Sequence, residues 1–304
     1  KITLDTPMKL SRLLSEVPKA NLPEEDPTIF AVVTDSREAG PGDLFFALCG
    51  SRENGADYVG EALAKGALAV TNRTFPGAVL VSDPESALLA AAKQYRTPLP
   101  SCRAAIAVTG SAGKSTTKEF LSSLLADTFV VHATKGNENN RIGVSYTLLS
   151  APAATQILIC ELGMNARGEI APLSEAVRPD LAVITSVGCA HIGNLGSRTL
   201  IAKEKADVTA GMRGGTVLVP AEEPLLDGIS GRKTFSVSAQ NADYRLEKIE
   251  EQPGKTTLRL RTENGESRPF TVRLFGDANL SCLAAAVAAA LEVGVPEDKI
   301  PDLA

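Results

Sequence analysis

The sequence predicts an α/β protein in which a small N-terminal α/β domain precedes a larger, doubly wound and mostly parallel domain. Short apolar runs alternate with helical stretches from residue 28 to residue 220, as in parallel α/β sheets. Between Tyr244 and Phe275, apolar and polar residues instead alternate with a period of two, as in an antiparallel meander. The chain has 304 residues, enough for two ordinary domains. Two prolines in TPLPS, residues 97–101, mark a linker, so we expect domains at 1–101 and 102–304.

The N-terminal part alternates four short apolar runs with two helical stretches, the order expected of a small α/β domain. The apolar runs are IFAVVTD (29–35), DLFFALCG (43–50), ALAVTN (67–72) and VLVSD (79–83). The helical stretches lie near Ala56–Lys65 and Glu85–Tyr95.

The larger part contains four apolar runs typical of buried parallel strands, with helical stretches between them. These runs are CRAAIAV (102–108), ILICELG (157–163), LAVITSVG (181–188) and TVLVP (216–220). Beyond them, TTLRLRT and FTVRLF surround turns at Pro253-Gly254 and Asn264-Gly265, which predicts the antiparallel meander. The last stretch, LSCLAAAVAAALEVG (280–294), predicts a helix that ends at Gly294.

The segment TGSAGKSTTKE, residues 109–119, joins the first of these strands to a helical stretch. Gly110 and Gly113 allow a tight turn that brings backbone N–H groups close to an anion, and the helix start adds partial positive charge. Lys114 supplies a point charge for phosphates, and the Ser115 hydroxyl can reach a Mg²⁺ ion. We therefore predict a nucleoside triphosphate site, formed by Gly110, Ser111, Ala112, Gly113, Lys114, Ser115 and Thr116.

The spacing of this segment departs from the common phosphate-loop pattern. That pattern has four residues between its glycines, whereas two separate Gly110 from Gly113, and Val108 stands where the first glycine would fall. A glycine-rich turn without a ligand is the alternative. The Lys-Ser pair after the turn favours the nucleotide site, although it does not indicate which reaction follows.

Polar residues at the ends of two predicted strands are candidate metal ligands, because ligands bind at the carboxyl ends of parallel strands. Glu161 ends one strand, and His191 follows another. With Ser115 they could surround metal ions bound to ATP. A carboxylate in this place suits Mg²⁺, whereas the residue type of His191 alone favours a structural role, since Mg²⁺ prefers oxygen.

Three further segments are ambiguous when taken alone. The loop KGNENNRIG (135–143) offers asparagines to a polar substrate, or is simply rich in turns. Lys203 and Lys205 lie in a predicted helix, where a solvated face is the simplest interpretation. In TDSR (34–37), Ser36 and Arg37 follow a strand and would either hold a phosphate or cap a loop.

Composition excludes several classes of protein. Apolar residues make up 44% and charged residues 22% of the chain, as in globular proteins. No apolar run approaches the roughly 20 residues of a membrane-spanning helix, so we expect no membrane association. The net charge of −5 argues against nucleic-acid binding. Five scattered cysteines without ligand spacing argue against a metal cluster, and Cys102, Cys160 and Cys189 beside apolar runs favour reduced thiols in a cytoplasmic protein.

Taken together and in order, these clusters resemble the Mur ligases, the ATP-dependent amide-bond enzymes of peptidoglycan synthesis. The resemblance covers nearly the whole chain. It rests on TDSREAGPGDLFFALCGSRENGADYVGEAL, TGSAGKSTTKE, KGNENNRIGVSYTLL, ELGMNARGEI and ITSVGCAHIGNLGS. The family's phosphate loop is short, which accounts for the spacing. The Gly-Asn-x-Asn-Asn and Thr-Lys-Glu elements resemble the MurF branch, which joins D-Ala-D-Ala to UDP-MurNAc-tripeptide, more than the MurE branch.

The resemblance implies a UDP-sugar-binding N-terminal domain, in which Ser36 and Arg37 would contact the UDP-MurNAc-peptide. It implies a central P-loop ATPase-type domain, in which Asn137 and Asn140 would line the cleft between nucleotide and substrate. The implied substrates are small molecules, and we expect a monomer.

The resemblance also implies catalytic roles. Lys114 and Ser115 would bind the ATP phosphates and Mg²⁺, and Glu161 and His191 would be metal ligands. Lys205 matches a family lysine that is often carbamylated, so that its added carboxylate binds a second Mg²⁺. ATP would convert the terminal carboxylate of the tripeptide into an acyl phosphate, which the amine of D-Ala-D-Ala would attack.

Two departures from the family pattern leave other hypotheses open. The family has a C-terminal domain that closes over ATP, and we expect it to be absent, because the chain stops at GVPEDKIPDLA. The adenine-side motif Gly-x-His-Asn-x-x-Asn is here GDANLSC, which keeps Gly276 and Asn279 but has Ala278 and Cys282. A non-catalytic protein that binds a nucleotide or a UDP-sugar, and a MurE-type ligase, are therefore the alternatives.

Overall fold

The structure is a computed structural model and describes residues 1–18, 21–50, 53–97, 99–188 and 197–303. Contacts divide the chain into two units. The first comprises Lys1–Ser101 with Asn140–Thr155, and the second comprises Cys102–Asn139 with Gln156–Ala304. The chain therefore leaves the first unit, returns to it for one segment, and leaves it again.

The first unit is a five-stranded sheet with four α-helices in its described part. The strands lie in chain order: β1 (Ile2–Lys9), β2 (Thr28–Val33), β3 (Asp43–Phe46), β4 (Leu68–Thr71) and β5 (Val79–Leu80). Neighbouring strands are parallel, except that β1 is antiparallel to β2. The helices are α1 (Leu10–Leu13), α2 (Val59–Ala64), α3 (Pro84–Arg96) and α5 (Arg141–Leu149).

Local sequence explains where the longest of these helices begins. Asp83 is the N-cap of α3, and its carboxylate accepts hydrogen bonds from the backbone N–H groups of Glu85 and Ser86 at 3.2 and 3.1 Å. Pro84 occupies the first helical position, where its missing N–H has no intrahelical partner to lose. The sequence-predicted helix near Glu85–Tyr95 therefore begins one residue earlier.

Three elements of the first unit were not predicted, one of which is the short helix α1. Strand β1 has the sequence ITLDTPMK, in which only Leu4 and Met8 are buried, so its apolar pattern is too sparse to stand out. Helix α5 follows the asparagine loop in the chain but packs with α3 and β1 of the first unit. A contact between segments so distant in sequence leaves no local pattern.

In the part that the structure describes, the second unit contains a ten-stranded sheet. The strand order is β14-β13-β12-β11-β10-β9-β6-β8-β7, with β15 paired to β13. Its parallel part comprises β6 (Ala104–Thr109), β7 (Val131–Ala133), β8 (Ile157–Glu161), β9 (Leu181–Ile184), β10 (Thr216–Pro220) and β11 (Arg232–Ser236). The antiparallel part comprises β12 (Tyr244–Gln252), β13 (Lys255–Thr262), β14 (Gly265–Glu266) and β15 (Phe270–Val272). The predicted fold class is confirmed, including the meander around Pro253-Gly254.

Helices cover both faces of this parallel sheet. The second unit contains α4 (Lys114–Ala126), α6 (Ile170–Val177), α7 (Arg198–Ala206), α8 (Asp277–Glu292) and α9 (Ile300–Leu303). Ile106 and Val108 of β6 share a core with Leu121 of α4 and the alanine-rich α8, whereas Ala105 and Ala107 face the other way and are equally buried. A strand buried on both faces must be apolar throughout, which is why β6 was predictable.

The chain order of the strands places a switch point beside β6. The connection through α4 leads to β7 and then to β8 on one side of β6, whereas β9 lies on the other side. In open α/β sheets, ligands bind at the carboxyl ends of strands at such a point. Within the described residues, no helix is long and apolar enough to cross a bilayer. Cys49 and Cys282 are free thiols, and Cys189 lies outside the described residues.

Candidate functional site

The turn between β6 and α4 requires its two glycines. Gly110 has a φ of +152° and Gly113 a φ of +83°, which side-chain-bearing residues rarely adopt. A Cβ atom on Gly110 would lie 1.9 Å from Oγ1 of Thr185, and one on Gly113 would lie 2.7 Å from Sγ of Cys282. Any larger residue would therefore strain the backbone and overlap a neighbouring side chain.

The start of α4 presents backbone N–H groups that could bind an anion. Gly113 is the N-cap residue, so no side chain caps the helix. The backbone N–H groups of Lys114, Ser115 and Thr116 lie in the first turn, where they have no intrahelical acceptor. These donors and the helix dipole together favour a phosphate group.

Residues that follow β9 hold the turn in place, and sequence reasoning missed them. Thr185 donates through Oγ1 to the carbonyl of Ala112 at 2.6 Å. The carbonyl of Ser186 accepts from the N–H of Ser111 at 3.0 Å, and the Oγ of Ser186 accepts from the N–H of Ala112 at 3.0 Å. Since these two N–H groups are engaged, the donors left for an anion lie further along, at the helix start. Thr185 and Ser186 lie in a predicted strand and in one of the motifs of the family resemblance, but neither had been singled out as a site residue.

Glu161 and Ser115 meet at the carboxyl edge of the sheet. The Oγ of Ser115 donates to Oε2 of Glu161 at 2.7 Å, and the side-chain amide of Asn139 donates to Oε1 at 2.7 Å. The backbone N–H of Glu161 donates to Oγ1 of Thr134 at 3.0 Å. Glu161 is 1% exposed, so two neighbours hold its buried carboxylate and a third holds its backbone, next to the turn between β6 and α4.

Two lysines of this unit, the half-buried Lys114 and the buried Lys205, have lowered pKa values. Lys114 donates through Nζ to the carbonyl of Gly110 at 3.0 Å. Burial lowers the pKa of Lys114, while the charge of Glu161 acts in the opposite direction. Lys205 is 3% exposed, and burial, with a smaller contribution from Lys114, lowers its pKa to about 8.

The interpretation of Lys203 and Lys205 as one solvated face is therefore wrong for Lys205. On α7, Lys203 is exposed, but Lys205 points into the protein. The two residues are two positions apart, and helix geometry directs such positions to different sides. The family resemblance, rather than the charge pattern, had singled out Lys205.

The groups at the edge of the sheet suit Mg²⁺. Ser115 and Glu161 offer a hydroxyl and a carboxylate, which are oxygen ligands of the type that Mg²⁺ prefers. Among the described residues, no group of three His, Cys, Asp or Glu side chains could hold a metal alone. A Mg²⁺ ion here would therefore depend on phosphate oxygens and water as well. The predicted ligand His191 lies outside the described residues.

The asparagine loop is arranged differently from the sequence prediction. Asn139, which was not singled out, contacts Glu161, whereas Asn137 is exposed. Asn140 is the N-cap of α5, and its side chain accepts from the N–H of Gly143 at 2.9 Å. Three asparagines in four residues could not be ranked without knowing which of them faces the neighbouring strand end. The predicted substrate contacts of Asn137 and Asn140 stay predictions.

A cleft of about 400 Å³ in this unit lies at the N-terminal end of α8. It is lined by Glu222, Val237, Ser238, Arg245, Glu247, Lys248, Asp277 and Ser281. Cys282, the residue after Ser281 on α8, lies with Sγ 3.7 Å from the carbonyl oxygen of Gly113. Burial raises the pKa of this thiol, so it stays protonated at neutral pH. The predicted adenine contact Asn279 is exposed and donates to the carbonyl of Phe275 at 3.2 Å.

The first unit has its own cleft at the TDSR segment. Its volume is about 520 Å³, and its lining residues are Thr34, Asp35, Ser36, Arg37, Phe45, Leu48, Gly50, Glu53, Gly55, Tyr58 and Glu61. Ser36 donates through Oγ to Glu61 at 2.9 Å. Arg37 pairs with Asp35 at 2.6 Å and holds the pKa of that carboxyl at about 2. The predicted substrate residues Ser36 and Arg37 therefore both line one cleft, in which apolar and charged side chains alternate.

Family models and a curated relative both match most of the chain, and all of these matches are to Mur ligases. The Mur ligase middle domain matches residues 108–290, and the catalytic domain of the Mur ligase family matches residues 28–114. The UDP-N-acetylmuramoyl-tripeptide–D-alanyl-D-alanine ligase of Bacillus subtilis (strain 168) is 36% identical over 290 residues, which cover 92% of this chain and 62% of that enzyme. The chain thus spans about three fifths of the length of this relative.

Solved structures of MurF ligases also resemble this chain. A crystal structure of MurF from Acinetobacter baumannii superposes with a TM-score of 0.87 at 30% identity and covers 99% of this chain and 68% of that one. The MurF ligase of Thermotoga maritima, solved in complex with ADP, has a TM-score of 0.81 at 27% identity, over 90% of this chain and 65% of that one.

Proposed function

This chain belongs to the Mur ligase family, and we propose that it forms the UDP-sugar-binding and ATP-binding parts of a MurF-type ligase. The reaction would join D-Ala-D-Ala to UDP-MurNAc-tripeptide at the expense of ATP. The observation that carries the proposal is the meeting of Ser115 and Glu161 at 2.7 Å beside an uncapped helix start. The resemblance of the sequence motifs to the Mur ligases is confirmed at the level of the family.

The geometry supports a specific position for ATP in the second unit. The β- and γ-phosphates would bind to the N–H groups at the start of α4 and to the ammonium group of Lys114. The nucleoside would extend into the neighbouring cleft at α8, where Glu222, Asp277 and Ser281 offer acceptors and donors. Ser115 and Glu161 would hold Mg²⁺, which would neutralise charge on the phosphates.

The chemistry follows from the poor reactivity of a carboxylate towards amines. A carboxylate oxygen of the tripeptide attacks the γ-phosphorus of ATP, ADP leaves, and an acyl phosphate forms. The amine of D-Ala-D-Ala then attacks the acyl carbon, phosphate leaves, and the new amide nitrogen loses a proton. Lys114 would stabilise the negative charge on the transferring phosphoryl group, which is the kind of electrostatic help that dominates such reactions.

Lys205 is suited to the carbamylation that the family resemblance implies. Only a neutral amine reacts with CO₂, and a pKa of about 8 leaves a useful neutral fraction at physiological pH. Carbamylation would replace a buried cation with an anion close to Lys114, and so remove a repulsion between two positive charges. The added carboxylate would be an oxygen ligand for a second Mg²⁺.

The first unit would bind the UDP-sugar at its TDSR cleft. Arg37 is positioned to contact a diphosphate, because its side chain is 83% exposed and Asp35, with which it pairs, lines the same cleft. Phe45, Leu48 and Tyr58 give this cleft apolar surface for a base or sugar ring. We assign residues 1–101 to this function and residues 102–304 to ATP, except that residues 140–155 pack with the first unit. A cytoplasmic monomer would suit a reaction that consumes ATP.

The alternative of a non-catalytic binding protein is favoured by Ala278 and Cys282, which replace two adenine-side residues of the family pattern. Calorimetric titration with a non-hydrolysable ATP analogue and Mg²⁺ separates the outcomes. We expect binding by the parent chain, none by Lys114→Ala, and parent-like binding by the control Lys255→Ala, whose exposed side chain lies on the meander. Absence of binding by the parent chain would contradict the assignment of the ATP site.

A second assay distinguishes a ligase from a binding protein. The chain is mixed with ATP, Mg²⁺ and UDP-MurNAc-tripeptide, and hydroxylamine is added to trap an acyl phosphate as a hydroxamate. A hydroxamate that needs both ATP and Lys114 would support the ligase. Nucleotide binding without any hydroxamate, even in the presence of D-Ala-D-Ala, would favour the binding protein. A UDP-MurNAc-dipeptide that reacts in place of the tripeptide would favour the MurE-type alternative.

A further inference from the structure

Lys118 is a buried cation that the proposed reaction does not use. It lies on α4 one turn after Lys114, and its side chain is 1% exposed. A lysine is almost never so completely buried unless its ammonium group is well paired. Two of its partners are backbone carbonyls, those of Thr134 at 2.6 Å and Gly136 at 2.8 Å.

The carbonyl partners belong to the segment that leads from β7 into the asparagine loop. This segment is in turn fixed to β8, since Thr134 donates its N–H to the carbonyl of Ile159 at 2.9 Å. Its Oγ1 accepts the N–H of Glu161. Three residues beyond Gly136, Asn139 donates to the carboxylate of Glu161, and its carbonyl accepts from the N–H of Gly163 at 2.8 Å.

Ser115 and Lys118 lie on one face of α4, because they are three positions apart in a helix. From that face, Ser115 contacts Glu161 directly, and Lys118 contacts the segment that carries Thr134 and Asn139. The same helix therefore fixes the Glu161 carboxylate in two ways, once through Ser115 and once through Lys118 and the loop.

We propose that Lys118 is a positioning residue that holds the segment Thr134–Asn139, so that Thr134 fixes the backbone of Glu161 and Asn139 fixes its carboxylate in the orientation that binds Mg²⁺. The proposal rests on the proposed function, since it concerns the metal that accompanies ATP. Residues that orient a metal ligand commonly influence metal affinity by about 10- to 100-fold. The expected role of Lys118 is of this kind and does not involve contact with ATP.

The ion pair of Lys118 with Glu119 is a competing reason for its presence. The two side chains lie 2.9 Å apart, but that of Glu119 is 68% exposed. Water screens a pair of which one member is so exposed, so it contributes little. The carbonyls of Thr134 and Gly136 are therefore the partners that matter, and Glu119→Gln is a variant in which only the ion pair is lost.

The test measures how the binding of a non-hydrolysable ATP analogue depends on Mg²⁺, by calorimetry on the full chain. Lys118→Met keeps the length of the side chain but has no donor. We expect this variant to need about 10- to 100-fold more Mg²⁺ to reach half of the maximal Mg²⁺-dependent gain in affinity for the analogue. Its affinity for the analogue in EDTA should be unchanged. Lys118→Gln, which has a neutral donor, should give an intermediate value. Glu119→Gln and the exposed Lys255→Met should behave as the parent chain.

A second readout does not need nucleotide. The side-chain amide resonance of Asn139, identified by its loss in Asn139→Asp, should shift in Lys118→Met towards the position of a solvated amide. Should Lys118→Met not fold, Lys118→Gln carries both comparisons. An unchanged Mg²⁺ requirement with an unchanged Asn139 resonance would overturn the proposal. So would an equal loss of affinity with and without Mg²⁺, which indicates a general structural role.

The outcomes also separate this proposal from the proposed function. Failure of the parent chain to bind the analogue at any Mg²⁺ concentration contradicts the ATP site. In that case, the Asn139 resonance alone decides whether Lys118 positions the loop. Binding by the parent chain together with a Lys118→Met variant of identical Mg²⁺ dependence leaves the ATP site intact and overturns the role of Lys118.

Discussion

The hydroxyl of Ser115 and the carboxylate of Glu161 are joined by a hydrogen bond of 2.7 Å, although 46 positions separate them in the chain. The bond connects the first turn of α4 to the end of β8. It brings two oxygen groups together beside the N–H groups that would bind phosphate. The proposed triphosphate–metal site therefore rests on this contact as well as on the glycine-rich turn.

The first prediction concerns Ser115. In Ser115→Ala, the metal loses one oxygen ligand, whereas the fold loses only a hydrogen bond at a partly exposed position. We expect the Mg²⁺ requirement for binding an ATP analogue to rise by about tenfold or more. The control is Ser123→Ala, on the same helix but exposed. Equal Mg²⁺ requirements in the two variants would contradict a metal-binding role for Ser115.

The second prediction concerns Gly110. In Gly110→Ala, the alanine would have to adopt a φ of +152°, and its Cβ would overlap Thr185. We expect a loss of roughly 2–5 kcal/mol in the free energy of unfolding, from strain and steric overlap together. Chemical denaturation measures this value.

The matched control is Gly254→Ala, in the β12–β13 turn. Gly254 also has a positive φ, of +79°, but its Cβ would meet nothing within 4 Å. Backbone strain alone should cost about 1–2 kcal/mol there. Similar losses in both variants would show that the contact with Thr185 is unimportant.

The third prediction concerns the pH dependence of stability. The pKa of Lys205 is about 8 in the folded chain, against an ordinary value of 10.5. Below pH 8 both the folded and unfolded states bind the proton, and its burial destabilises the fold by about 3 kcal/mol, since one pKa unit corresponds to about 1.4 kcal/mol. Between pH 8 and 10.5 the unfolded state binds more protons, so stability rises with pH in this window.

Lys205→Met should remove this rise, because methionine has no proton to release. The measurement is the free energy of unfolding at several pH values, expressed as the difference between the parent and each variant. Lys203→Met, on the same helix but exposed, should keep the rise. A parent chain whose stability relative to Lys205→Met is flat between pH 8 and 10.5 would contradict the depressed pKa. Labelled bicarbonate and ¹³C NMR would report carbamate on Lys205 directly.

The fourth prediction concerns the cleft of the first unit. Arg37 and Arg73 each form an exposed ion pair with an aspartate, at 2.6 Å in both cases. Neither pair should measurably affect stability, because solvent screens both. Only Arg37 lines the cleft. We therefore expect Arg37→Met to weaken calorimetric binding of UDP-MurNAc-tripeptide and Arg73→Met to leave it unchanged; equal affinities would place the UDP-sugar elsewhere.

The sequence was sufficient to predict the strands that are buried on both faces of the sheet. Strands β6, β8, β9 and β10 are continuous apolar runs, and a short run of this kind between turns is typical of a buried strand in a globular chain. The glycines of the phosphate-binding turn were equally informative, because their positive φ values and close contacts exclude other residues. Strand β1 was missed since only two of its eight residues are buried.

The parts of the site that depend on contacts between distant segments were harder to predict from the sequence. Lys203 and Lys205 look alike in sequence, and only the packing of α7 distinguishes the buried lysine from the exposed one. Likewise, Asn139 and Asn140 are neighbours, yet one contacts Glu161 and the other caps a helix. Lys118 had served only as a marker of the MurF branch, because nothing local indicates that its ammonium group reaches Thr134 and Gly136.

The return of residues 140–155 to the first unit has a consequence for inheritance. A gene segment that ends at codon 101 encodes α3 but not α5, the helix that packs against it. Exchange of the first unit between related genes therefore needs two coordinated replacements rather than one crossover. A single crossover that carries both segments must lie beyond codon 155, so the first unit is then inherited together with residues 102–139 of the second.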